Sequence, residues 1–319
     1  MTQRLPRLVH TGQVLVDLVM RVDALPEPGG DVLASSATFE VGGGFNVMAA
    51  ARRSGMAVVY PGGHGRGRFG DLVRQALVRE GVEIAAAPVE DRDTGICVAL
   101  VDASAERTFA SHLGAEAQLE RDVLERLNVT ADDIVYVSGY SLCDANKRAV
   151  LLDWLDTLAP DVRIAFDPGP LVGSIDRAVL RRVAAKLSIW TSNRVEALRY
   201  ASSESIDDAL ALIASHLPAH ALVIVRDSAA GCRLAHAGRV TQVPGFAVEP
   251  VDSNGAGDAH AGVFVASLAA GLSPIDAARR ANAAAALAVT RHGPATAPLA
   301  AEIDAFIVAP DQRTPASRD

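Results

Sequence analysis

The chain is 319 residues long, half of them apolar but only 4% aromatic, and it carries a formal net charge of −8. Its length suits one large α/β domain or two smaller ones, and the shortage of aromatic residues leaves a core to be built from Ala, Val and Leu. The acidic balance excludes a nucleic-acid partner, which needs a broad basic face, while leaving room for a small anion bound by backbone amides.

In chain order, residues 8–20 read as strand material interrupted at Thr11-Gly12-Gln13. Leu25-Pro26-Glu27-Pro28-Gly29-Gly30 is a loop, and residues 32–41 a second strand with one wet face. Gly42-Gly43-Gly44 opens a helix over residues 45–54, which Gly55 ends. A short strand at 58–60 precedes a loop with five glycines between Gly62 and Gly70, and a helix over 71–80 stops at Gly81. Residues 95–102 and 107–112 form an antiparallel hairpin around a short polar turn.

From Asp133 onward strands alternate with helices. Strands are expected at 134–138, 163–167, 187–191 and 221–226, with helices at 146–158, 178–185 and 206–216 between them. This alternation implies a doubly wound α/β architecture with a mostly parallel sheet covered on both faces. Residues 13–40 and 95–112 do not fit that scheme. They form either a small separate β-sheet lid or an antiparallel edge of the main sheet. The expected organisation is one α/β domain over residues 1–308, its lid from about 13–40 and 95–112, and a frayed polar tail at 309–319.

The cysteines Cys97, Cys143 and Cys232 lie far apart without CxxC spacing, against both disulfides and a zinc site. The N-terminal apolar run, broken by His10 and Gly12, lacks the h-region of a signal peptide, and no run of about 18 apolar residues exists to span a membrane. A cytoplasmic protein with no membrane partner is expected.

The most informative segment is Val251-Asp252-Ser253-Asn254-Gly255-Ala256-Gly257-Asp258, followed by a small-residue helix-like run. Gly-Ala-Gly ahead of a helix leaves amides uncovered at the positive end of the helix dipole, an arrangement that binds phosphate. Asp258 on the same turn would repel phosphate. It is well placed to take a proton from a hydroxyl that attacks one. The plainer alternative is an acid that only complements the helix dipole.

A second segment gives the pattern its family. Gly42-Gly43-Gly44-Phe45-Asn46-Val47-Met48-Ala49-Ala50-Ala51 resembles the N-terminal signature of the ribokinase-like (PfkB) carbohydrate kinases, and residues 252–258 resemble their C-terminal signature. Residues 282–293 and 302–306 are similar to the family's adenine-pocket segment and last helix. The resemblance covers nearly the whole chain. It implies a ribokinase-like fold, and transfer of the γ-phosphoryl group of ATP to a primary hydroxyl, assisted by Mg2+.

Residue by residue, the resemblance makes Asp258 the catalytic base and Gly255, Ala256 and Gly257 the anion hole. Asp17, Gly42, Gly43 and Asn46 would bind the sugar, Asp17 by accepting from two adjacent hydroxyls. A solvent-facing strand end for Asp17 and helix capping for Asn46 stand as the plainer readings. Val41 replaces a glycine found in many members. Asn193 and Glu196 match an N-x-x-E motif, with Asn193 at phosphate and Glu196 acting through water on Mg2+. A capping Asn with a solvated Glu is the alternative.

Residues 225–231 stand where the family has a G-x-x-G turn. Ser228 replaces the first glycine and Gly231 keeps the second, leaving Arg226, Ser228, Gly231 and Asn282 as nucleotide contacts. Arg226 would bind phosphate or neutralise Asp227. Asp252, with carbonyls of Arg291 and Gly293, matches a monovalent cation site for K+, but Ala297 stands where a hydroxyl is expected. Arg107, on the hairpin, would read an anionic group of the substrate or lie solvated on its strand. His64 is read as a loop residue.

Three functions follow: an ATP-dependent sugar kinase, a nucleoside kinase of the same fold with Phe39, Phe45 or Phe109 as base platform, or a nucleotide-binding protein without chemistry. Partners are a small sugar and ATP, with a homodimer through the lid.

Overall fold

The computed structural model describes residues 5–104 and 106–308; the expected tail at 309–319 lies outside them. The first half contains β1 (Arg7–His10), β2 (Val14–Arg21), β3 (Ser36–Gly43), α1 (Gly44–Arg53), β4 (Ala57–Tyr60), α2 (Arg68–Arg79), β5 (Glu83–Ile84), β6 (Ile96–Val101), β7 (Arg107–His112) and α3 (Arg121–Arg126). The alternating part follows as β8 (Ile134–Ser138), α4 (Ala145–Leu155), β9 (Arg163–Asp167), α5 (Arg177–Ala184), β10 (Ile189–Asn193), α6 (Arg194–Ala201), α7 (Ile206–Ser215) and β11 (Leu222–Arg226). The chain then runs through β12 (Cys232–His236), β13 (Arg239–Val243), α8 (Ala256–Ala269), α9 (Pro274–Ala288) and α10 (Ala300–Val308).

Nine strands form the main sheet in the order β13-β12-β11-β10-β9-β8-β1-β4-β5, parallel from β11 to β5. Strands such as Ile134-Val135-Tyr136-Val137 are buried on both faces, as helix-covered parallel strands must be. Local chemistry sets where the helices begin. Asp144, Asp176 and Ser205 accept from first-turn amides of α4, α5 and α7, and Ser273 caps α9 ahead of Pro274.

The early segments form a second sheet, β3-β2-β6-β7, so the separate-sheet reading holds. The main sheet has an antiparallel edge as well, but β12 and β13 make it, and the sequence reading missed them. Their two-residue turn, Ala237-Gly238, has φ of 49° and 74°. That turn usually carries Asn-Gly, and with Ala first the signal is absent.

The two sheets are joined by a buried polar cluster. Lys147 Nζ donates to Gly12 O at 3.1 Å and Glu116 O at 2.9 Å. The Glu116 carboxylate accepts from Gly95 N at 2.7 Å and Gly114 N at 2.8 Å. Gly12, Gly95 and Gly114 are the points where the chain enters β2, enters β6 and leaves β7, so one cluster anchors three of the small sheet's roots.

α8 is buried almost all round and crosses α1 very closely. A Cβ on Gly262 would overlap Val47 O and the Ala50 methyl, so only glycine permits this approach. The crossing brings the first turns of the two helices together. Among the described residues no helix is long and apolar enough to cross a membrane.

Candidate active site

A cleft of about 410 Å³ opens between the two sheets. Its floor is a row of strand ends: His10 closes β1, Ser138 β8, Asp167 β9, Asn193 β10 and Arg226 β11. Parallel strands in register put their carboxyl ends on one rim, which is where open α/β sheets bind ligands. The small sheet contributes Leu15, Asp17, Cys97, Phe109 and Ser111, all on one face by the pairing register.

Asp258 lies in the first turn of α8 beside the amides of Gly255, Ala256 and Gly257. First-turn amides lack an acceptor within the helix, and Ala256 N makes only a long 3.4 Å bond to Ser253 O, which leaves the turn able to take an anion. Gly255 has φ 72°, and a Cβ there would overlap Pro294 O; the turn needs glycine on both counts. Asp258 Oδ2 accepts from Asn46 Nδ2 at 2.9 Å across the α1–α8 crossing. Burial pushes the Asp258 carboxyl up to about 6, with the charge of Asp167 adding to it against the hydrogen bond from Asn46.

Asn46 lies inside α1 rather than at its cap, which is Gly43 with no side-chain hydrogen bond. Asp17 faces the cleft, raised to about 6 by burial and by the nearby charge of Glu40. Gly42 packs against it: a Cβ there would overlap Asp17 Oδ2.

The sequence reading passed over two neighbours of these groups, His10 and Gln13, both of which line the cleft. His10 stacks on Tyr136 and accepts from Gly12 N at 3.1 Å through Nδ1, so its proton is on Nε2. Burial and the charge of Lys147 lower its pKa to about 3, which keeps the ring neutral. His10 Nε2, Gln13 Nε2 and Asn46 Oδ1 are buried without a hydrogen-bond partner among the described residues. Two donors and an acceptor left open in one cleft are what a polyhydroxylated ligand would satisfy.

At the other end Arg226 is held by Asp167 Oδ2 at 3.2 Å and Thr191 Oγ1 at 2.8 Å, and it lies 3.7 Å from Glu196. It therefore does not neutralise Asp227, which pairs with Arg194 at 3.4 Å. Asn193 and Glu196 form a reciprocal capping box at the start of α6. Glu196 is nevertheless buried in the cleft wall rather than solvated, and burial and Asp167 raise its carboxyl to about 7.

Ser228, Gly231 and Asn282 do not line the cleft. Ser228 opens the turn after β11, Gly231 packs against residues 243–245, and Asn282 Nδ2 holds the carbonyls of Val243 and Pro244 at 3.0 Å each. Of the three phenylalanines considered as a base platform, Phe45 is buried in the core and Phe39 packs on Phe69 and Arg68. Phe109 faces the cleft, with Tyr140. His64 is a buried loop residue.

Arg107 is neither solvated nor in the cleft. It lines a neighbouring cavity of about 330 Å³ with Arg21, Glu40, Asn254 and His292, and its guanidinium pairs with Asp252. Asp252 also accepts from Asn254 N at 2.8 Å and Gly293 N at 3.2 Å. Although burial opposes it, these amides and Arg107 hold the Asp252 carboxyl below its usual value. The side chain of Arg291 turns away to Glu302.

The model of the pfkB family carbohydrate kinases matches residues 5–301. The chain belongs to that family. As a carbohydrate kinase it is similar along its length to the uncharacterized sugar kinase YegV of Escherichia coli (strain K12), at 32% identity over 305 residues, covering 92% of this chain and 91% of the relative. Its fold is that of the Arabidopsis thaliana ribokinase solved with ribose and ATP, with a TM-score of 0.79 at 20% identity, covering 96% of this chain and 100% of the other. The putative ribokinase II of E. coli, solved with ATP and Mg2+, superposes with a TM-score of 0.78 at 23% identity, covering 95% and 99%.

Proposed function

We propose that this carbohydrate kinase transfers the γ-phosphoryl group of ATP to a primary hydroxyl of a small neutral sugar, with Asp258 as base. The observation that carries the reading is the convergence, in one cleft, of Asp17, Asn46 and Asp258 with the first-turn amides of α8. Asp17 accepts from sugar hydroxyls, while Asn46, His10 and Gln13 fill the remaining hydrogen-bond demand. The acceptor hydroxyl sits at Asp258, which orients it and collects its proton as the O–P bond forms. The amides of Gly255, Ala256 and Gly257 take the charge on the transferring group.

The acceptor end is lined by carboxylates and neutral donors, and among the described residues lining the cleft Arg226 is the cationic side chain. A neutral sugar fits that lining better than a sugar phosphate. The nucleotide extends from Asn193 along the turn at Ser228 and Gly231, with Arg226 fixing the acids behind it. Asn282 supports that groove by fixing residues 243–245 rather than by touching adenine.

Mg2+ suits the site. The donors are oxygens alone, and Mg2+ keeps most of its water with one or two carboxylates rather than a protein cage. Glu196, through water, is the residue to hold it, and the ion supplies charge neutralisation of the triphosphate. Residues 13–40 and 95–112 act as a lid that keeps water from the phosphoryl group. The outer face of that sheet presents Leu18, Met20, Phe39, Val98 and Leu100, only partly covered, as the dimer surface; light scattering of the purified chain tests that.

Phe109 and Tyr140 at the cleft mouth favour a nucleoside acceptor as the second reading. ADP release across sugars and nucleosides, with ATP and Mg2+, tests both. Turnover of a pentose or hexose in preference to adenosine is expected. Turnover of nucleosides alone would replace this proposal with the second reading.

A further inference from the structure

Arg107 stands on the lid, and its partner Asp252 is 145 residues away in the segment that leads into the anion hole. The Asp252 side chain is 7% exposed and that of Arg107 21%, so the pair is largely shielded from water. From inside, the same carboxylate fixes the turn through Asn254 N and Gly293 N. It therefore links three parts: the lid, the anion-hole segment and the loop after α9.

The family resemblance puts a monovalent cation at this carboxylate. An alkali ion needs a cage of oxygens in place of its hydration shell. Here both Asp252 oxygens already accept, from two amides and a guanidinium. Position 297, where a hydroxyl would complete the cage, is Ala, and Thr296 Oγ1 donates instead to Ala288 O at 3.1 Å. The residues present do not fit a monovalent cation at Asp252.

Some positive charge is nonetheless required. Glu40, on β3, faces Asp252 across the small cavity and is pushed up by burial and by that charge. Arg21, on β2, lines the same cavity and offsets part of the Glu40 charge, but Arg107 is the guanidinium that pairs with Asp252; without it that carboxylate would face Glu40 with no direct partner cation. A guanidinium answers this with a permanent charge and a fixed planar fork.

We propose that Arg107 is a positioning residue that delivers from the lid the charge an alkali cation would otherwise place beside Asp252. Two consequences follow: turnover is independent of monovalent cations, and the anion-hole segment takes its working shape only when the lid is down. The idea rests on the sugar-kinase reading for its assay.

The test measures kcat and KM of wild type, Arg107→Ala and Arg107→Lys at constant ionic strength of about 0.15 M, in tetramethylammonium chloride with or without KCl or guanidinium chloride. Wild-type kcat is expected to change by less than about twofold with KCl, and Arg107→Ala to lose about 10- to 100-fold in kcat, part of it restored by guanidinium. Arg107→Lys should fall between them. Wild type activated severalfold by K+ would overturn the proposal. So would an Arg107→Ala variant as active as wild type, or one that guanidinium does not restore. Should the alanine variant not fold, Arg107→Lys and the wild-type salt response decide by the same criteria. Wild-type turnover of any sugar tests the parent reading separately. If there is none, hydrogen exchange over residues 252–257 decides for Arg107: faster exchange in Arg107→Ala supports the link, and unchanged exchange ends it.

Discussion

Asp258→Asn separates what this carboxylate does for chemistry from what it costs the fold. Its carboxyl is raised from 3.8 to about 6, with burial the largest cause. At about 1.4 kcal/mol per unit, the ionised group weakens the native state by at most about 3 kcal/mol. The side chain keeps a narrow opening to the cleft, which brings the expected range to about 1–3 kcal/mol. The sign follows from linkage. A carboxyl whose pKa rises on folding holds its proton more tightly in the native state. The penalty is therefore absent below about pH 3.8, develops up to about pH 6 and is complete above it.

Asparagine removes that penalty and still accepts from Asn46 Nδ2. An unfolding entropy of about 2.1 cal/mol/K per residue gives this chain about 0.7 kcal/mol/K. The variant should then melt about 1.5–4 °C above wild type at pH 7.5, the gap narrowing toward pH 5. Turnover should fall about 10²- to 10⁴-fold with ATP affinity nearly intact. Scanning calorimetry at several pH values and an ADP-release assay read the two effects. A variant less stable than wild type at pH 7.5 would refute the burial argument, and turnover within about tenfold of wild type would refute the assignment of the base.

Three other outcomes are expected. Gly42→Ala drives a methyl into Asp17 Oδ2 and should raise the sugar KM about tenfold or more while leaving the ATP KM alone, measured by steady-state kinetics with each substrate varied. Gly262→Val forces apart the α1–α8 crossing; a loss of about 1–3 kcal/mol in urea titration is expected, with reduced kcat as Asn46 leaves Asp258, and an unperturbed variant would show that the contact is slack. Glu116→Gln replaces one of two accepting oxygens with an amide that cannot accept. The chain should lose about 1–3 kcal/mol, and the amides of Gly95 and Gly114 should exchange faster, as followed by hydrogen-exchange mass spectrometry.

What could be read from the sequence was what local backbone chemistry dictates. Gly-Ala-Gly before a helix pointed to an anion-binding turn from backbone chemistry, whereas Asp17 was reached only through the family resemblance. Asn193 and Glu196 show the limit of a motif: both the capping reading and a place in the cleft wall are true of the same pair. His10, Ser138 and Asp167 were not found, because a polar residue ending a strand looks the same in every strand. Parallel register alone turns these separate ends into one rim. Gln13 Nε2 and His10 Nε2 needed the fold to show that no described residue bonds them. The strand alternation put Arg107 on the lid, but a partner 145 residues away leaves no trace in a single sequence.

The charge of the cleft explains its division of labour. Among the described residues that line it, Asp17, Asp167, Glu196 and Asp258 oppose Arg226 alone, with His10 held neutral. A triphosphate would be repelled by such a lining if it came unaccompanied. Arg226 cannot offset this, since Asp167, Glu196 and Thr191 already surround it; it keeps the acids in place rather than greeting the anion. On the proposed function, phosphate would be left to the first-turn amides of α8, which carry no net charge, and to a divalent cation arriving with the nucleotide. Burial, and after it the repulsion of neighbouring acids, raises Asp258 and Glu196, and a cation bound beside them would lower both. On the proposed function the acceptor end stays acidic by itself and would hold a sugar through its hydroxyl protons, one of them facing Asp258 beside the first turn of α8.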